Sequence, residues 1–333
     1  MSIITRPLVI GHRGASGYRP EHTRAAYDLA FTLGADAVEP DIVATRDGVL
    51  VLRHENEISG TTNVAEHPEF AARRTSKTID GDAITGWFTE DFTWQELSTL
   101  RARERLPAVR QASTTHNDAS PILRLSDLLE IVDQHPEATR RPLKIVAEIK
   151  HASYFASIGL PLDELFARDV SGWATVDNLI IESFEQSLLH RIRDRGIPGQ
   201  LVFLLESSGA PSDLIARFGS KARSYADHLT DAGLAKLAAE VDGISVDKKM
   251  LTVKDRAGSL TGTNDLVARA HTAGLLVFCW TLRAENRFLP KNLRSSKQPE
   301  QYGNWMSEFR TIMDSGLDGV FADQPDLAVT ARG

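Results

Sequence analysis

Short apolar runs alternate with stretches of helical spacing along this chain, and this alternation constrains the fold more than any other feature. Eight runs have the length and continuous hydrophobicity of strands buried on both faces. They cover residues 8–11, 37–42, 143–150, 178–184, 200–205, 243–246, 275–280 and 319–322. A helix is predicted after each strand, and residues 49–54 form an additional hairpin arm. Within the α/β class, eight such units favour a (β/α)8 TIM barrel over an open doubly wound sheet.

Helix boundaries follow from capping residues and glycines. Thr23 is the expected N-cap of a helix that stops at Gly34, and Thr93 opens a capping box for a short helix at 94–105. Ser126 and Ser183 are expected to cap helices that end near residue 135 and Gly196. Further helices are predicted at 163–172, 212–218, 231–240, 263–273 and 304–315.

Two polar segments interrupt the alternation. Residues 55–120, after the second strand, show little periodicity, and so long a loop in a compact domain usually has its own role. We therefore expect one barrel domain over residues 1–333 with an insertion subdomain at 55–120. Residues 285–303 are a second insertion with four basic side chains, to which the sequence assigns no function.

Composition and charge indicate a globular protein and argue against nucleic-acid-binding and membrane proteins. The chain has 333 residues, 42% of them hydrophobic and 25% charged, as in ordinary globular proteins. A net charge of −7 argues against a partner such as nucleic acid or an anionic membrane, because both require a basic face. No apolar run is long enough for a membrane span, and the N-terminal residues lack the apolar region of a signal peptide, so a cytoplasmic location is expected. The single cysteine, Cys279, lies in an apolar context typical of packing.

Ionisable side chains recur where the predicted strands end. Because the carboxyl ends of barrel strands meet on one face, these side chains are expected to form one site. The ionisable residues at or within three positions of a strand end include His12, Glu39, Asp41, Glu148, Lys150 and Asp323; Trp280 also stands at a strand end, and His54 ends the hairpin arm.

The three carboxylates Glu39, Asp41 and Glu148 would repel one another or bind protons unless a cation lay between them. Oxygen ligands favour a divalent cation such as Mg²⁺ or Ca²⁺, with Mn²⁺ also possible, over zinc. The alternative is that they only form salt bridges with Arg13 and Lys150. The three carboxylates carry −3, whereas a divalent ion, Arg13 and Lys150 together carry +4. The site would therefore have a net charge of +1, which a phosphodiester monoanion would neutralise.

Four sequence elements occur in an order that resembles the glycerophosphodiester phosphodiesterase family. The similarity is dense over 8–62 and recurs at 143–150, 275–280 and 319–326. The elements are HRGASGYRPEHT at 12–23, Glu39-Pro40-Asp41, Arg53-His54 before a polar turn, and Glu148-Ile149-Lys150.

The resemblance implies a fold, a reaction and a ligand set. It implies a TIM barrel whose subdomain at 55–120 lies over the barrel mouth and shapes specificity. It assigns the metal to Glu39, Asp41 and Glu148, and matches His12 and His54 to the two family histidines. The implied reaction is hydrolysis of glycerophosphodiesters to sn-glycerol 3-phosphate and an alcohol.

The residue types suit that reaction. Two imidazoles that titrate near neutrality, His12 and His54, can act as general acid and general base. Arg13 offers a planar fork of donors to phosphate oxygens, and Lys150 offers a point charge. Trp280 either walls the glycerol pocket or fills the core.

Three further residues are expected to support the site. Glu21 is expected to tie the turn at 14–20 to neighbouring groups, and Asp323 to support the site rather than perform chemistry. Many family members have Asp directly after the second histidine, whereas Glu55 stands here. Glu55 either keeps the orienting or metal-adjacent role with a longer reach or that role is absent.

Two other functions are compatible with a barrel of this kind. One is a phosphodiesterase of the sphingomyelinase or phospholipase D type, in which an internal hydroxyl is the nucleophile. Its members tend to be secreted and disulfide-bonded, which a single cysteine disfavours. The other is a non-catalytic barrel that binds phosphorylated ligands, which the combination of two histidines with three carboxylates disfavours.

Overall fold

Eight parallel strands close into a barrel in the computed structural model, which describes residues 6–333, so the predicted (β/α)8 architecture is confirmed. The barrel strands follow the order β1–β2–β7–β8–β9–β10–β13–β14, and β14 pairs with β1 to close it. The strands are β1 Leu8–His12, β2 Ala37–Glu39, β3 Asp41–Ala44, β4 Leu50–Leu52, β5 Thr75–Ile79, β6 Asp82–Gly86, β7 Lys144–Ile149, β8 Leu179–Ser183, β9 Gln200–Leu205, β10 Gly243–Asp247, β11 Thr252–Lys254, β12 Leu260–Thr263, β13 Leu276–Leu282 and β14 Gly319–Ala322.

Helices cover the outside of the barrel. Within residues 6–333, no helix is long and apolar enough to cross a bilayer. The helices are α1 Arg24–Thr32, α2 Trp94–Leu97, α3 Gln111–Thr114, α4 Leu125–Gln134, α5 Ala152–Ser157, α6 Leu162–Val170, α7 Gln186–Asp194, α8 Ser212–Phe218, α9 Tyr225–His228, α10 Asp231–Leu237, α11 Lys248–Leu251, α12 Leu266–Ala273, α13 Trp305–Met313 and α14 Pro325–Arg332.

Two of the predicted helix caps are present and two are not. Thr23 caps α1 by accepting a hydrogen bond from the backbone N of Ala26, and Thr93 forms the predicted capping box of α2. The prediction for Ser183 was wrong, because its hydroxyl donates to the backbone oxygen of Ile149 while α7 begins three residues later. Helix α4 begins at Leu125, one residue before the cap expected at Ser126.

The second barrel strand continues past Pro40 as β3, although a proline cannot donate to a strand ladder. Proline lacks an N–H, but its carbonyl oxygen still accepts a hydrogen bond from the backbone N of Glu148, 2.9 Å away. Strand β3 therefore keeps its pairing with β7, with Asp41 opposite Glu148. On its other side β3 pairs with β4 in the predicted hairpin arm.

Residues 55–120 contain an antiparallel hairpin, β5–β6, which the sequence did not predict. Its turn residues, Asp80 and Gly81, have φ angles of 51° and 98°, and an Asp-Gly turn of this kind matches the twist of a hairpin. Asp80 Oδ2 lies 2.6 Å from His151 Nδ1, just beyond the end of β7. The hairpin thus reaches the carboxyl end of the barrel.

Two apolar layers hold the strands in place. The larger one lies between the barrel and the surrounding helices, and the smaller one fills the barrel interior. The buried interior residues are Ile10, Ala37, Val146, Ile180, Val202, Phe278 and Phe321. Because the interior is filled with side chains, the polar groups that the strands carry are displaced to the strand ends.

Candidate active site

A cavity of about 470 Å³ opens at the carboxyl ends of the barrel strands. Three predicted site residues, Asp41, Glu21 and Asp323, are buried around it, and Glu55 is partly exposed. The other predicted residues line the cavity itself: His12, Arg13, Glu39, His54, Glu148, Lys150 and Trp280.

Glu39, Asp41 and Glu148 converge in this cavity, with one oxygen of each within 4.8 Å of the others. Glu39 Oε1 and Asp41 Oδ1 are buried and have no hydrogen-bond partner among residues 6–333. Unpartnered buried oxygens are rare, so these two atoms indicate a missing partner of positive charge. A carboxylate-only donor set fits a hard divalent cation.

The protonation of the cluster reflects its burial. Burial, followed by the neighbouring Asp41 carboxylate, holds the pKa of Glu39 well above its ordinary value. Burial also raises the pKa of Glu148 to about 7, although Lys150 opposes the shift. At Asp41 burial is outweighed by His54, Arg13 and Lys150, which hold the pKa well below its ordinary value.

Arg13 and Lys150 both contact the cluster. The backbone N of Arg13 donates to Glu39 Oε2 at 2.8 Å, from a residue whose φ is 60°. Its guanidinium donates to Glu21 at 3.1 Å and places Nε 3.0 Å from Asp41. Lys150 Nζ donates to Glu148 Oε1 at 2.6 Å. The salt bridges considered from the sequence therefore form, yet they leave two carboxylate oxygens of the cluster without hydrogen bonds.

His12 is oriented by a buried carboxylate. Its Nδ1 lies 2.6 Å from Asp323 Oδ1, while Asp323 Oδ2 accepts from Arg110 at 2.5 Å and from Arg283 at 2.6 Å. Burial opposes ionisation of Asp323, but the two arginines outweigh it and keep its pKa well below the ordinary value. An ionised Asp323 accepts the Nδ1 proton, so Nε2 of His12 is the nitrogen left for a ligand. Burial lowers the pKa of His12 to about 4.

His54 has a similar arrangement on the hairpin arm. Its Nδ1 is hydrogen-bonded to Glu55, the residue that departs from the family pattern. Arg105 donates to both carboxylate oxygens of Glu55, at 3.0 and 2.7 Å, and to both oxygens of Glu21, at 2.6 Å each. Glu55 therefore contacts the histidine despite its longer side chain. Burial lowers the pKa of His54 to about 3.

The site residues that were missed in the sequence include His22, Glu182, Arg105, Arg110 and Arg283. His22 is buried with Nε2 3.0 Å from Asp41, and Glu182 is a fourth buried carboxylate that lines the cavity. Both carried a signal, since His22 lies within the family-like string and Glu182 at the end of a predicted strand. Arg105 and Arg110 carried none, because the helix expected at 94–105 ends at Leu97 and both arginines lie outside any helix or strand.

Trp280 forms part of the cavity wall. Its ring packs edge-on against Phe184, with ring centroids 6.1 Å apart. The indole Nε1 is buried and has no hydrogen-bond partner among the described residues. Trp280 therefore combines an apolar wall with a donor that a ligand oxygen could accept from.

Comparisons of sequence identify relatives of this chain. The family model described as the glycerophosphoryl diester phosphodiesterase family matches residues 12–327. A glycerophosphodiester phosphodiesterase of Arabidopsis thaliana is 30% identical over 96% of this chain and 84% of that protein. A glycerophosphodiester phosphodiesterase of Treponema pallidum is 25% identical over 98% of this chain and 92% of that protein.

Solved structures have the same fold. A putative glycerophosphoryl diester phosphodiesterase from Silicibacter pomeroyi superposes with a TM-score of 0.67 at 19% identity, over 98% of this chain and 93% of that one. An Oleispira antarctica phosphodiesterase in complex with the product sn-glycerol-3-phosphate gives 0.64 at 18% identity, over 98% and 96% of the two chains.

Proposed function

This chain belongs to the glycerophosphoryl diester phosphodiesterase family, and from that premise we propose that it hydrolyses glycerophosphodiesters to sn-glycerol 3-phosphate and an alcohol with a divalent cation. The observation that carries the proposal is the group of three carboxylates with two unpartnered oxygens, in one cavity with two histidines. A relative of the same fold has been solved with sn-glycerol-3-phosphate as its product, which supports this substrate class.

Glu39, Asp41 and Glu148 would hold the cation, for which Mg²⁺ and Ca²⁺ are the candidates and Mn²⁺ a third. When bound, the cation would supply positive charge to a non-bridging phosphate oxygen. Arg13 and Lys150 would add positive charge at the same phosphate, and Trp280 would wall the glycerol moiety. The cytoplasmic location expected from the sequence stays a prediction.

His12 and His54 would move the protons. Each has Nδ1 engaged by a carboxylate, so each presents Nε2 to the substrate. One imidazole would accept the proton of the attacking water and the other would protonate the departing alkoxide. An anionic diester against either ring raises the pKa of that ring, which opposes the effect of burial and favours a protonated donor.

We further propose that residues 55–120 act as a subdomain that shapes specificity. The hairpin turn at Asp80 contacts the segment after β7, and Arg105 donates to both carboxylate oxygens of Glu21. Both contacts connect the insertion to residues beside the cavity.

The test is release of sn-glycerol 3-phosphate from glycerophosphocholine by chelator-treated protein before and after addition of Mg²⁺, Ca²⁺ or Mn²⁺. Activity should return with at least one ion. The double variant E39Q/D41N should lose at least about a thousandfold in kcat/KM, because it removes two ligands. The matched control is E130Q, an exposed carboxylate on α4, which should retain activity.

Two outcomes would contradict the proposal. Full activity of E39Q/D41N in the presence of chelator would exclude the metal role. Formation of a cyclic phosphate in place of glycerol 3-phosphate would indicate the alternative reaction with an internal hydroxyl nucleophile.

A further inference from the structure

One wall of the catalytic cavity is basic. It carries Lys249 and Lys254, which follow β10, and Arg287 and Arg294 of the 285–303 insertion. Among residues 6–333, Lys254, Arg287 and Arg294 have no carboxylate oxygen within 4.0 Å. We call these three side chains the basic wall. They are exposed, so their charges can meet a ligand that enters from solvent.

Two other basic side chains of the cavity, Lys248 and Arg283, already have carboxylate partners. Lys248 Nζ donates to Glu308 at 2.8 Å and to the backbone oxygen of Phe288 at 3.0 Å. Arg283 donates to Asp323. These two side chains are therefore bound to carboxylates, whereas the three side chains of the basic wall are not.

The segments that carry the basic wall are fixed to each other. The side-chain oxygen of Asn292 accepts from the backbone N of Leu260 at 3.0 Å, which joins the insertion to strand β12. Inside the insertion, the Asn286 side chain accepts from the backbone N of Ser295 at 3.0 Å and donates to the backbone oxygen of Gln298 at 3.0 Å. Arg294 itself donates to the backbone oxygen of Leu289 at 2.9 Å. These bonds hold residues 285–303 together and fix them to strand β12 beside the cavity.

The basic wall gives this side of the cavity a positive charge. Two carboxylates, Glu206 and Asp247, line the same side, and Lys249 Nζ lies 3.9 Å from Asp247. Even with both carboxylates ionised, the four basic residues outnumber them. The chain as a whole has a net charge of −7, which repels anions. The positive charge on this side of the cavity acts against that repulsion and attracts an anionic ligand.

The glycerol 3-phosphate half of a glycerophosphodiester has no charge besides that of the diester. A substrate could therefore place a second negative charge against the basic wall only through a group on the leaving alcohol. We propose that the basic wall binds a second anionic group, a phosphate or a carboxylate, on the alcohol that leaves, so that the preferred substrates are glycerophosphodiesters with an anionic head group. This inference rests on the proposed function and specifies its substrate class.

The test compares substrates that differ only in the added charge. One pair is glycerophosphoinositol 4-phosphate with glycerophosphoinositol, and the other is glycerophosphoglycerate with glycerophosphoglycerol. For the unaltered chain with its activating ion, kcat/KM should be about tenfold or more higher for the anionic member of at least one pair. The preference should shrink as salt is raised, because exposed charges are screened.

The variant K254Q/R287Q/R294Q should bring the ratio of the two kcat/KM values close to one, and R287Q alone should lower it. The control is K297Q, a basic residue of the same insertion that does not line the catalytic cavity, which should keep the ratio of the unaltered chain. A preference in one pair alone identifies phosphate or carboxylate as the group that is bound.

Equal hydrolysis of both members of both pairs by the unaltered chain would overturn the inference and leave the proposed function intact. A preference that survives in the triple variant would also overturn it. Absence of hydrolysis of all four compounds would instead count against the proposed function itself.

Discussion

A cation bound by Glu39 and Glu148 would compete with protons for their carboxyl groups. Burial raises the pKa of both, to about 7 for Glu148 and well above the ordinary value for Glu39. Asp41, whose pKa is held low, stays ionised over the same pH range. Metal affinity should therefore depend on pH through Glu39 and Glu148 and not through Asp41.

We expect binding of Mg²⁺ or Ca²⁺ at pH 7 to release protons, and affinity to rise from pH 6 to pH 8 by up to about tenfold per pH unit for each proton displaced. The sign follows from the raised pKa values, because lower pH favours the protonated carboxyl groups that compete with the ion. Calorimetric titration in two buffers of different ionisation enthalpy measures the number of protons. Identical heats in both buffers, with affinity independent of pH, would exclude this linkage.

Which site residues the sequence could predict depends on how each one reaches the cavity. His12, Glu39, Glu148 and Lys150 follow apolar runs, and a strand delivers its end to a defined face, so their position follows from the pattern. Arg110 lies outside the helices and strands, in a segment whose sequence has no strand or helix periodicity, so its position at the site could not be predicted. Roles in catalysis remain predictions for all of these residues.

The segment from Arg105 to Arg110 supports both histidines. Arg105 binds Glu55, which contacts His54, and Arg110 binds Asp323 behind His12. Arg110 is buried with its partner, and a buried carboxylate that loses one of its cations is destabilised. These two arginines are positioning residues in the proposed reaction.

We expect R110Q to lower kcat by about 10- to 100-fold. Removing a cation beside Asp323 raises the pKa of His12, so the limb of the pH–rate profile that reports His12 should move to higher pH. The matched control is R103Q, since Arg103 binds Asp118 and Glu66 away from the cavity. A fall in rate with an unmoved pH profile would indicate a purely structural effect.

Among the elements, the hairpin β5–β6 was missed although its signal is present in the sequence. Residues 75–79 and 82–86 flank Asp80-Gly81, and Asp-Gly between two strand-like runs is typical of a tight hairpin turn. The runs are largely exposed and polar, so the hydrophobic pattern that identified the barrel strands was absent. The start of α12 was placed three residues early, because β12 occupies 260–263.

For the whole molecule, the count of eight strands was predictable because every barrel strand is buried on both faces and reads as a continuous apolar run. The barrel interior depends on large side chains such as Phe278, whose ring lies 2.7 Å from where a Cβ on Gly319 would stand. That close approach explains the glycine at the start of β14. It could not be predicted, because it joins two strands far apart in sequence.

We expect F278A to lower the free energy of unfolding by about 3–5 kcal/mol, because it opens a cavity among buried side chains inside the barrel. The control V253A, at a valine that is 43% exposed, should change it by less than about 0.5 kcal/mol. Urea unfolding followed by circular dichroism measures both. A loss below 1 kcal/mol for F278A would mean that the interior collapses around the missing ring.

The support that residues 105–110 give to both imidazoles has a consequence for protein engineering. A designer who transplants the ionisable groups of the strand tips onto another barrel would obtain the carboxylates but leave the rings free to turn. A transplanted site must therefore also include the loop at residues 105–110, which contributes no barrel strand and no metal ligand but holds the carboxylates that orient both histidines.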